Sequence, residues 1–536
     1  MGAAGASGEK RVSLAGPLRF PQPVWVLLAV LGVGGCGAPE RPGTPPRHVL
    51  LITVDTLRAD HLYGWLYPLP TSDYGVTPAQ RTEGKAYTVY ELGDQGVRFA
   101  RAFAPRGMTF PSMASLFTGR SPLETCALNN GERLPAGAAT LAESFQAAGF
   151  ATAAFSANRL LVPESGIGQG FDHFYSAPWD EDDPNLDRDF EVIRAAWGWV
   201  EAQDLEQGPP IFLWMHLMGP HLPYDPRPFN DVDYGTLFTD PHYPGEADGS
   251  REFLDAAYSE GRALGGLDVD HVVHLYDGEV ARVCHLIRFF ISLYAGAFDA
   301  EAPDHLADTV LVFAADHGEE LYQRNQYWGH SKSVYDSVLH VPLFLRHPGS
   351  LTGRRVLAEV VELQDVMPTL LEWFDLPIPD GVRGRSLLAL TDSYVEREWD
   401  SRPAFGMWQN QVFTVRTPRW RFVWNKDGVE PDDPPAGRYP IPVEALYDVE
   451  RDPMELHDVS AEHPEVVQEL KDAIVEWLAS QVACGDRGRI ASEAYSAALG
   501  DLGYADPGSP EHPNSGDPDP GAPDPGDPDP GNPDGD

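Results

Sequence analysis

Three apolar runs, each ending in polar side chains, place the strongest constraint on the fold of this chain. They are RHVLLITVD at residues 47–55, GPPIFLWMHL at residues 208–217 and ADTVLVFAADHG at residues 307–318. Continuous apolar runs rich in β-branched residues are typical of strands that are buried on both faces of a parallel sheet. Sites in open α/β sheets lie beyond the carboxyl ends of such strands, so we expect Asp55, His216 and Asp316 to share one site.

Helical segments lie between these runs. Residues 140–150 read TLAESFQAAGF, and Thr140 with Glu143 three positions later forms a capping-box pattern. Residues 189–203, DFEVIRAAWGWVEAQ, also predict a helix. Alternation of strands and helices predicts the α/β class, with a mostly parallel central sheet and helices on both of its faces.

The residue composition changes after about residue 376. Residues 401–426 are rich in aromatic and β-branched residues with short turns, which predicts a small antiparallel sheet. Residues 464–483, PEVVQELKDAIVEWLASQVA, carry apolar residues at helical spacing. We therefore predict a main domain over residues 47–375 and a smaller C-terminal subdomain of antiparallel sheet and helix over residues 376–485.

The N-terminus has the pattern of an export signal. Lys10, Arg11 and Arg19 precede an apolar run at residues 24–33, and the sequence VGGC then ends at Cys36. This pattern resembles a bacterial lipoprotein signal peptide over residues 1–36, which implies an exported protein held on a membrane of the cell envelope, in the periplasm or at the cell surface, by lipidated Cys36. A plain signal peptide, or an N-terminal anchor with an incidental cysteine, is the alternative. Residues 37–46 are small and Pro-rich, as in a linker.

Charge is concentrated at the other end. Lys and Arg number 39 against 81 Asp and Glu, so the formal net charge is −42, and residues 506–536 hold nine acidic residues without Lys or Arg. Residues 486–536 are predicted to be a linker and a disordered acidic tail rich in Pro and Gly, because they lack the apolar residues of a core. A charge of this sign argues against nucleic acid as a partner.

Three cysteines remain after the signal: Cys126, Cys284 and Cys484. At most one disulfide can form among them, which leaves at least one free thiol. We expect Cys126 to be a packing residue or a free thiol.

The ends of the strands carry groups suited to a metal. Asp55 follows the first run, and Asp316 with His317 follows the third. Two carboxylates and an imidazole that converge at one sheet edge would form a site for a divalent cation. The alternative for Asp55 alone is a helix cap.

The order and spacing of the motifs resemble the sulfatase family, within the alkaline phosphatase superfamily. The motifs that carry the resemblance include HVLLITVDTLRADHLYG, TFPSMASLFTGRSP, WMHLMGPHLPYDP, VLVFAADHGEEL and WGHSKSVYD, and they spread from about residue 47 to about residue 480. The resemblance implies that Asp55, Asp316 and His317 bind one divalent metal ion (Ca, Mg, Zn or Mn). It also implies that His221 assists departure of the leaving group and that His330 and Lys332 hold the anionic ester.

The nucleophile position departs from the family pattern. Common members read Cys-x-Pro-Ser-Arg or Ser-x-Pro-Ser-Arg there, and the Cys or Ser is oxidised to formylglycine. Here Thr109 occupies that position and Met113 replaces the Arg. Oxidation of a threonine would yield a ketone, so no formylglycine is expected. The resemblance to Thr-dependent relatives implies that the Thr109 hydroxyl is both the nucleophile and a fourth metal ligand.

We therefore expect a metal-dependent hydrolase of sulfate or phosphate esters, acting on a small molecule, a glycan or a lipid. A catalytically inactive binding protein and a phosphoryl-group transferase at the cell envelope are the alternatives. His216 remains undecided between a structural role and a role in the site. Arg58 is expected to order the site or to form a surface salt bridge, and Glu319 to be an N-terminal helix acid. The sequence leaves the oligomeric state open.

Overall fold

The computed structural model describes residues 46–489 except 66, 77–79, 82, 84, 179–185, 298–303, 325, 352–354, 392–398, 400, 429–440, 483 and 485–487. The predicted signal peptide, nearly all of the linker and nearly all of the acidic tail lie outside the described residues, so these assignments stay predictions, as does the domain boundary at residue 376.

The strands are β1 His48–Val54, β2 Val97–Phe103, β3 Glu132–Arg133, β4 Ala151–Ser156, β5 His173–Ser176, β6 Ile211–Leu217, β7 Thr309–Ala315, β8 Glu320–Leu321, β9 Trp328–Gly329, β10 His340–Arg346, β11 Arg355–Glu362, β12 Ala404–Trp408, β13 Val412–Arg416, β14 Trp420–Asn425, β15 Glu444–Asp448 and β16 Gly488–Arg489. The helices are α1 Val89–Asp94, α2 Thr109–Thr118, α3 Pro122–Thr125, α4 Leu141–Ala147, α5 Arg188–Glu201, α6 Arg251–Glu260, α7 Gly266–Tyr294, α8 Asp336–Leu339, α9 Val366–Trp373, α10 Leu388–Thr391 and α11 Pro464–Ser480.

The central sheet contains eight strands of the described chain, in the order β11-β2-β10-β7-β1-β6-β4-β5. All neighbouring strands are parallel except β10, which is antiparallel to both β2 and β7. The predicted fold class is confirmed: a mostly parallel central sheet with helices.

The three apolar runs are neighbouring strands at the centre of this sheet. All seven residues of β1, β6 and β7 are buried, as their unbroken apolar sequences require. Val54 pairs with Leu217 on one side and with Ala315 on the other, so the carboxyl ends of the three strands are level. The register therefore brings the polar residues that follow them to one edge.

The helices begin as the local sequence predicts. Thr140 accepts a hydrogen bond from the backbone of Glu143, and the Glu143 side chain accepts one from the backbone of Thr140, so the predicted capping box is confirmed. The second predicted helix is α5, and Asp187 caps it. Among the described residues, no helix is long and apolar enough to cross a membrane.

The C-terminal part is an antiparallel sheet with the order β12-β13-β14-β15, against which α11 packs. Phe405 stacks on Trp477 with their ring centres 5.0 Å apart, and Leu470 and Ile474 are buried in the same cluster. The predicted subdomain of antiparallel sheet and helix is confirmed.

A disulfide joins Cys126, beside α3, to Cys484, which follows α11. The expectation of a packing or free Cys126 is wrong, because the tertiary fold brings together two residues that are 358 positions apart in the sequence. Cys284, in the middle of α7, is the buried free thiol among the described cysteines.

Candidate active site

Asp55, Asp316 and His317 form a buried cluster at the carboxyl edge of the central sheet. Their ligand atoms lie within 4.8 Å of one another. His317 Nε2 is 3.5 Å from Asp316 Oδ2 and 3.9 Å from Asp55 Oδ1. The level ends of β1 and β7 produce this arrangement, as the sequence predicts.

The chemistry of the cluster fits a divalent cation. Asp55 Oδ1 and Asp316 Oδ2 are buried and make no hydrogen bond. His317 Nδ1 donates to the carbonyl oxygen of Gly318 at 2.9 Å, which leaves the lone pair of Nε2 directed at the carboxylates. Burial and the charge of Asp55 raise the pKa of Asp316 well above its usual range, because two buried carboxylates repel each other.

Thr109 supplies a fourth candidate ligand atom, a hydroxyl oxygen. It is the first residue of α2 and is fully buried, and its Oγ1 lies 3.4 Å from Asp55 Oδ2 and 3.5 Å from His317 Nε2. Its neighbour Phe110 donates its backbone N–H to Asn130 Oδ1 at 3.0 Å, which holds this end of the helix. The hydroxyl of Thr109 thus lies next to a cluster of two carboxylates and an imidazole nitrogen.

Met113 lies one turn further along α2 and is buried in the hydrophobic core. An arginine at this position in the family pattern would bring a cation close to the nucleophile. In this chain the position contributes packing only, so the charge that holds an anionic substrate has to come from other residues.

Two side chains orient Asp55. The Asn158 amide donates to Asp55 Oδ2 at 2.6 Å, and His216 Nε2 lies 3.4 Å from the same oxygen. His216 Nδ1 contacts Thr53 Oγ1 at 2.9 Å. Although burial acts to raise it, the pKa of Asp55 is held below its usual range by the hydrogen bond of His216 and by the charges of nearby histidines. His216 therefore contacts a predicted metal ligand rather than only the core.

Sequence reasoning missed Asn158. It follows β4, whose residues ATAAFS form another apolar strand of the central sheet. Asn158 did not show the signal used for Asp55 and Asp316, a polar residue directly after an apolar run. Ser156, at the end of β4, and Ala157 stand between the apolar residues and Asn158.

Glu319 and His330 form a buried pair beside the cluster of Asp55, Asp316 and His317. His330 Nδ1 lies 2.8 Å from Glu319 Oε1, and the His330 ring centre is 4.3 Å from that of His317. The expectation that Glu319 is an N-terminal helix acid is wrong, because the residues after it form the short strand β8. Burial raises the pKa of Glu319 to about 7, against the charges of His221 and His317, which lower it.

His221 is a further histidine beside this pair, and its ring centre lies 5.3 Å from that of His330. Its Nδ1 donates to the Leu222 carbonyl oxygen at 2.7 Å, and its Nε2 is buried without a hydrogen bond. Burial lowers the pKa of His221 to about 4, which Asp55 opposes. In the neutral ring Nε2 is therefore a hydrogen-bond acceptor.

Lys332 and Arg58 are two basic residues that the sequence analysis singled out. Lys332 is half-buried, its ammonium lies 5.9 Å from the centre of the Tyr327 ring, and its role toward the ester stays a prediction. Arg58 is buried, forms 2.8 Å hydrogen bonds to Asp60 and donates at 2.9 Å to the carbonyl oxygen of Glu319. Arg58 thus orders the segment that carries Glu319.

A cation that sequence reasoning missed is Arg251, the first residue of α6. It lines the same cavity as His221 and donates to the Leu222 carbonyl oxygen at 3.3 Å. No strand end or motif marks Arg251 in the sequence, so only the fold could reveal its position.

Comparison with known families gives two matches. The family described as Sulfatase matches residues 47–376, and the one described as N-sulphoglucosamine sulphohydrolase, C-terminal, matches residues 325–480. The first match covers more than half of the chain.

Among curated proteins, the chain is similar to an arylsulfatase of Clostridium perfringens, with 28% identity over 337 residues (58% of this chain and 62% of the relative). It is also similar to arylsulfatase K of Gallus gallus, with 27% identity over 314 residues (53% of this chain and 54% of the relative). The chain thus spans less than two thirds of the length of each of these relatives.

Solved structures show the same fold. The phosphonate monoester hydrolase of Agrobacterium radiobacter superposes with a TM-score of 0.60 at 20% identity, over 82% of this chain and 96% of the other. A protein solved in complex with its substrate D-glucosamine-2-N,6-O-disulfate superposes with a TM-score of 0.58 at 18% identity, over 82% of this chain and 98% of the other.

Proposed function

Because the chain belongs to the sulfatase family, we propose that it is a metal-dependent hydrolase of sulfate or phosphate esters in which Thr109 is the nucleophile. The observation that carries the proposal is the position of the Thr109 hydroxyl, 3.4 Å from Asp55 Oδ2 and 3.5 Å from His317 Nε2, within the Asp55, Asp316 and His317 cluster. A serine or cysteine for formylglycine is absent from this position.

Asp55, Asp316, His317 and Thr109 would hold the cation, which supplies the Lewis-acid charge that lowers the pKa of a hydroxyl in contact with it. The Thr109 hydroxyl gives its proton to solvent and its oxygen attacks the sulfur or phosphorus atom, while the bond between that atom and the ester oxygen of the leaving group breaks. Water later attacks the covalent Thr109 ester, which releases the sulfate or phosphate group and returns a proton to the Thr109 oxygen.

We infer that His221 serves the leaving group. Its Nδ1 is already occupied by the Leu222 carbonyl oxygen, so a proton that enters the ring resides on Nε2, the atom without a hydrogen bond. A protonated Nε2 can donate to the departing oxygen. His330, held by Glu319, and Lys332 would bind the non-bridging oxygens of the ester.

Sulfate and phosphate esters both fit this chemistry, since both present a tetrahedral oxyanion to the same cationic groups. The curated relatives named above are arylsulfatases, and one of the structural neighbours is a phosphonate monoester hydrolase. The threonine nucleophile favours phosphorus, and the identity of the metal is left to experiment.

The test uses purified protein assayed with Mg²⁺, Ca²⁺, Mn²⁺ or Zn²⁺ on 4-nitrophenyl sulfate, 4-nitrophenyl phosphate, bis(4-nitrophenyl) phosphate and a phenylphosphonate monoester. We expect turnover of at least one ester, dependent on the metal, and a loss of at least about 10³-fold in Thr109→Ala. Ser115→Ala, which removes a buried hydroxyl from the same helix, is the matched control and should retain activity.

Full activity of Thr109→Ala would refute the mechanism. A wild-type protein that binds no metal and hydrolyses none of the esters would instead favour the inactive binding protein. Mass spectrometry of acid-quenched protein adds a second readout, because a phosphate or sulfate adduct should map to Thr109 in wild type only.

We also propose export to the cell envelope with a lipid on Cys36. The support is the VGGC sequence after the basic and apolar stretches of the N-terminus. In a bacterial host, Cys36→Ser should move the full chain from the membrane to the soluble fraction. Retention of the variant in the membrane fraction would refute lipid anchoring through this cysteine.

A further inference from the structure

A cavity of about 400 Å³ opens beside His221. Its wall is built by the residues before and at the start of α5, by the turn that follows β6, by Arg251 of α6, and by Glu279 and Arg282 of α7. This volume lies in the range of pockets that bind small organic ligands. Because His221 faces the leaving group in the proposed reaction, the cavity lies where the leaving group would be.

Three charged groups of this wall contact other parts of the protein. Asp189 accepts the backbone N–H groups of Met218 at 2.7 Å and of Gly219 at 3.0 Å. Asp187 caps α5 and forms an ion pair with Arg282, which is itself buried. These contacts hold the shape of the cavity, since they fix α5 and α7 to the turn that carries His221.

Arg251 contacts the turn that carries His221. Its guanidinium donates to the Leu222 carbonyl oxygen, which also accepts the hydrogen bond from His221 Nδ1. Burial lowers the pKa of His221 and of His330, and the positive charge of Arg251 lowers both further. A guanidinium that lines the cavity thus lies close enough to act on both imidazoles.

We propose that this cavity binds the leaving group of the substrate and that Arg251 selects leaving groups that carry a second oxyanion, such as a carboxylate or another sulfate. The inference rests on the proposed function, because it assumes an ester cleaved at Thr109. A planar guanidinium with several donors matches the oxygens of such a group and binds it more strongly than a neutral one. His221 lines this cavity and its buried Nε2 makes no hydrogen bond, so the ester oxygen would lie beside this residue.

The experiment compares a 3-carboxyphenyl ester with a 3-carbamoylphenyl ester, which differ in the charge of the leaving group. Both are sulfate esters or both are phosphate esters, according to which class the enzyme hydrolyses. The wild type should favour the carboxylate in kcat/KM, and Arg251→Gln should lower that preference about tenfold or more. Arg251→Lys should restore part of it. Arg262→Gln, which neutralises an exposed arginine just after α6 and outside the cavity, is the control and should keep the wild-type preference.

Binding of the product phenols separates this inference from the proposed function. By calorimetry, the wild type should bind 3-hydroxybenzoate more tightly than 3-hydroxybenzamide, and Arg251→Gln should remove the difference. Hydroxybenzoate binding that depends on Arg251, without hydrolysis of any ester, would refute the proposed function and retain the anion site. Equal binding of both phenols by wild type, or an unchanged preference in Arg251→Gln, would overturn the inference.

Discussion

The phenol of Tyr276 donates a 2.8 Å hydrogen bond to the carbonyl oxygen of Thr56, the residue that follows Asp55. The same oxygen of Tyr276 accepts the backbone N–H of Arg58 at 3.0 Å. Thr56 has a positive φ of 53° and donates its N–H to Asp316 Oδ1 at 3.2 Å. Helix α7 therefore holds a backbone conformation that costs free energy and that connects two of the predicted metal ligands.

We predict that Tyr276→Phe weakens binding of a divalent metal about tenfold, because Thr56 loses the bond that keeps its backbone in place. Isothermal titration of the metal-free protein measures this effect. Tyr294→Phe is the matched control, since Tyr294 lies on the same helix and its hydroxyl contacts Thr309 at the opposite end of β7. Equal metal affinities in the two variants would show that Tyr276 stabilises only the fold.

A second prediction concerns Asn158, which donates to Asp55 Oδ2 at 2.6 Å. Asn158→Asp places a further carboxylate against Asp55, so the free energy of unfolding without metal should fall by roughly 2 kcal/mol or more. Divalent metal should raise the melting temperature of the variant more than that of wild type, because the cation offsets the added charge. Asn230→Asp makes the same change at an exposed position and should alter neither quantity. Identical metal-free stabilities of wild type and Asn158→Asp would contradict this reasoning.

Stability should depend on pH through Glu279. Burial raises the pKa of Glu279 to about 8 from 4.5, with Asp189, Asp225 and Asp187 raising it and Arg282 opposing them. The folded state thus binds this proton more tightly than the unfolded state, so the stabilisation is complete below about pH 4.5 and is lost as the pH rises through about 8.

Glu279→Gln keeps the neutral shape without the titration. Between pH 5 and pH 9, the free energy of unfolding measured with urea should therefore fall more in wild type than in Glu279→Gln. We expect the two decreases to differ by a value on the order of a few kcal/mol. Parallel changes of the two proteins between these pH values would exclude Glu279 as the titrating group.

The Cys126–Cys484 disulfide closes a loop across 358 residues. Chain-entropy arguments assign roughly 6 kcal/mol of stability to a crosslink over so long a loop. Dithiothreitol should lower the melting temperature of wild type and of Cys284→Ala, which lacks the buried free thiol. Cys484→Ser should melt at the lower temperature with or without the reductant. Insensitivity of wild type to a reductant that demonstrably opens the bond would contradict this assignment.

The sequence by itself determined the central strands of the sheet and the position of Asp55 and Asp316 at their ends. Short unbroken apolar runs rich in β-branched residues are typical of central strands, and the parallel order of β1, β6 and β7 then places Asp55 and Asp316 at one edge. The Thr140 capping box and the α11 helix were equally predictable, because local hydrogen bonding and apolar spacing specify them. Information of this kind is carried by neighbouring residues.

Only the tertiary structure decided the contacts between residues that are distant along the chain. It paired Glu319 with His330 and Cys126 with Cys484, and it brought Arg251 to the cavity of His221. No periodicity encodes such pairs, since each depends on how separate elements pack together. The sequence thus determined which groups could do the chemistry, and packing of distant segments decided which of them meet.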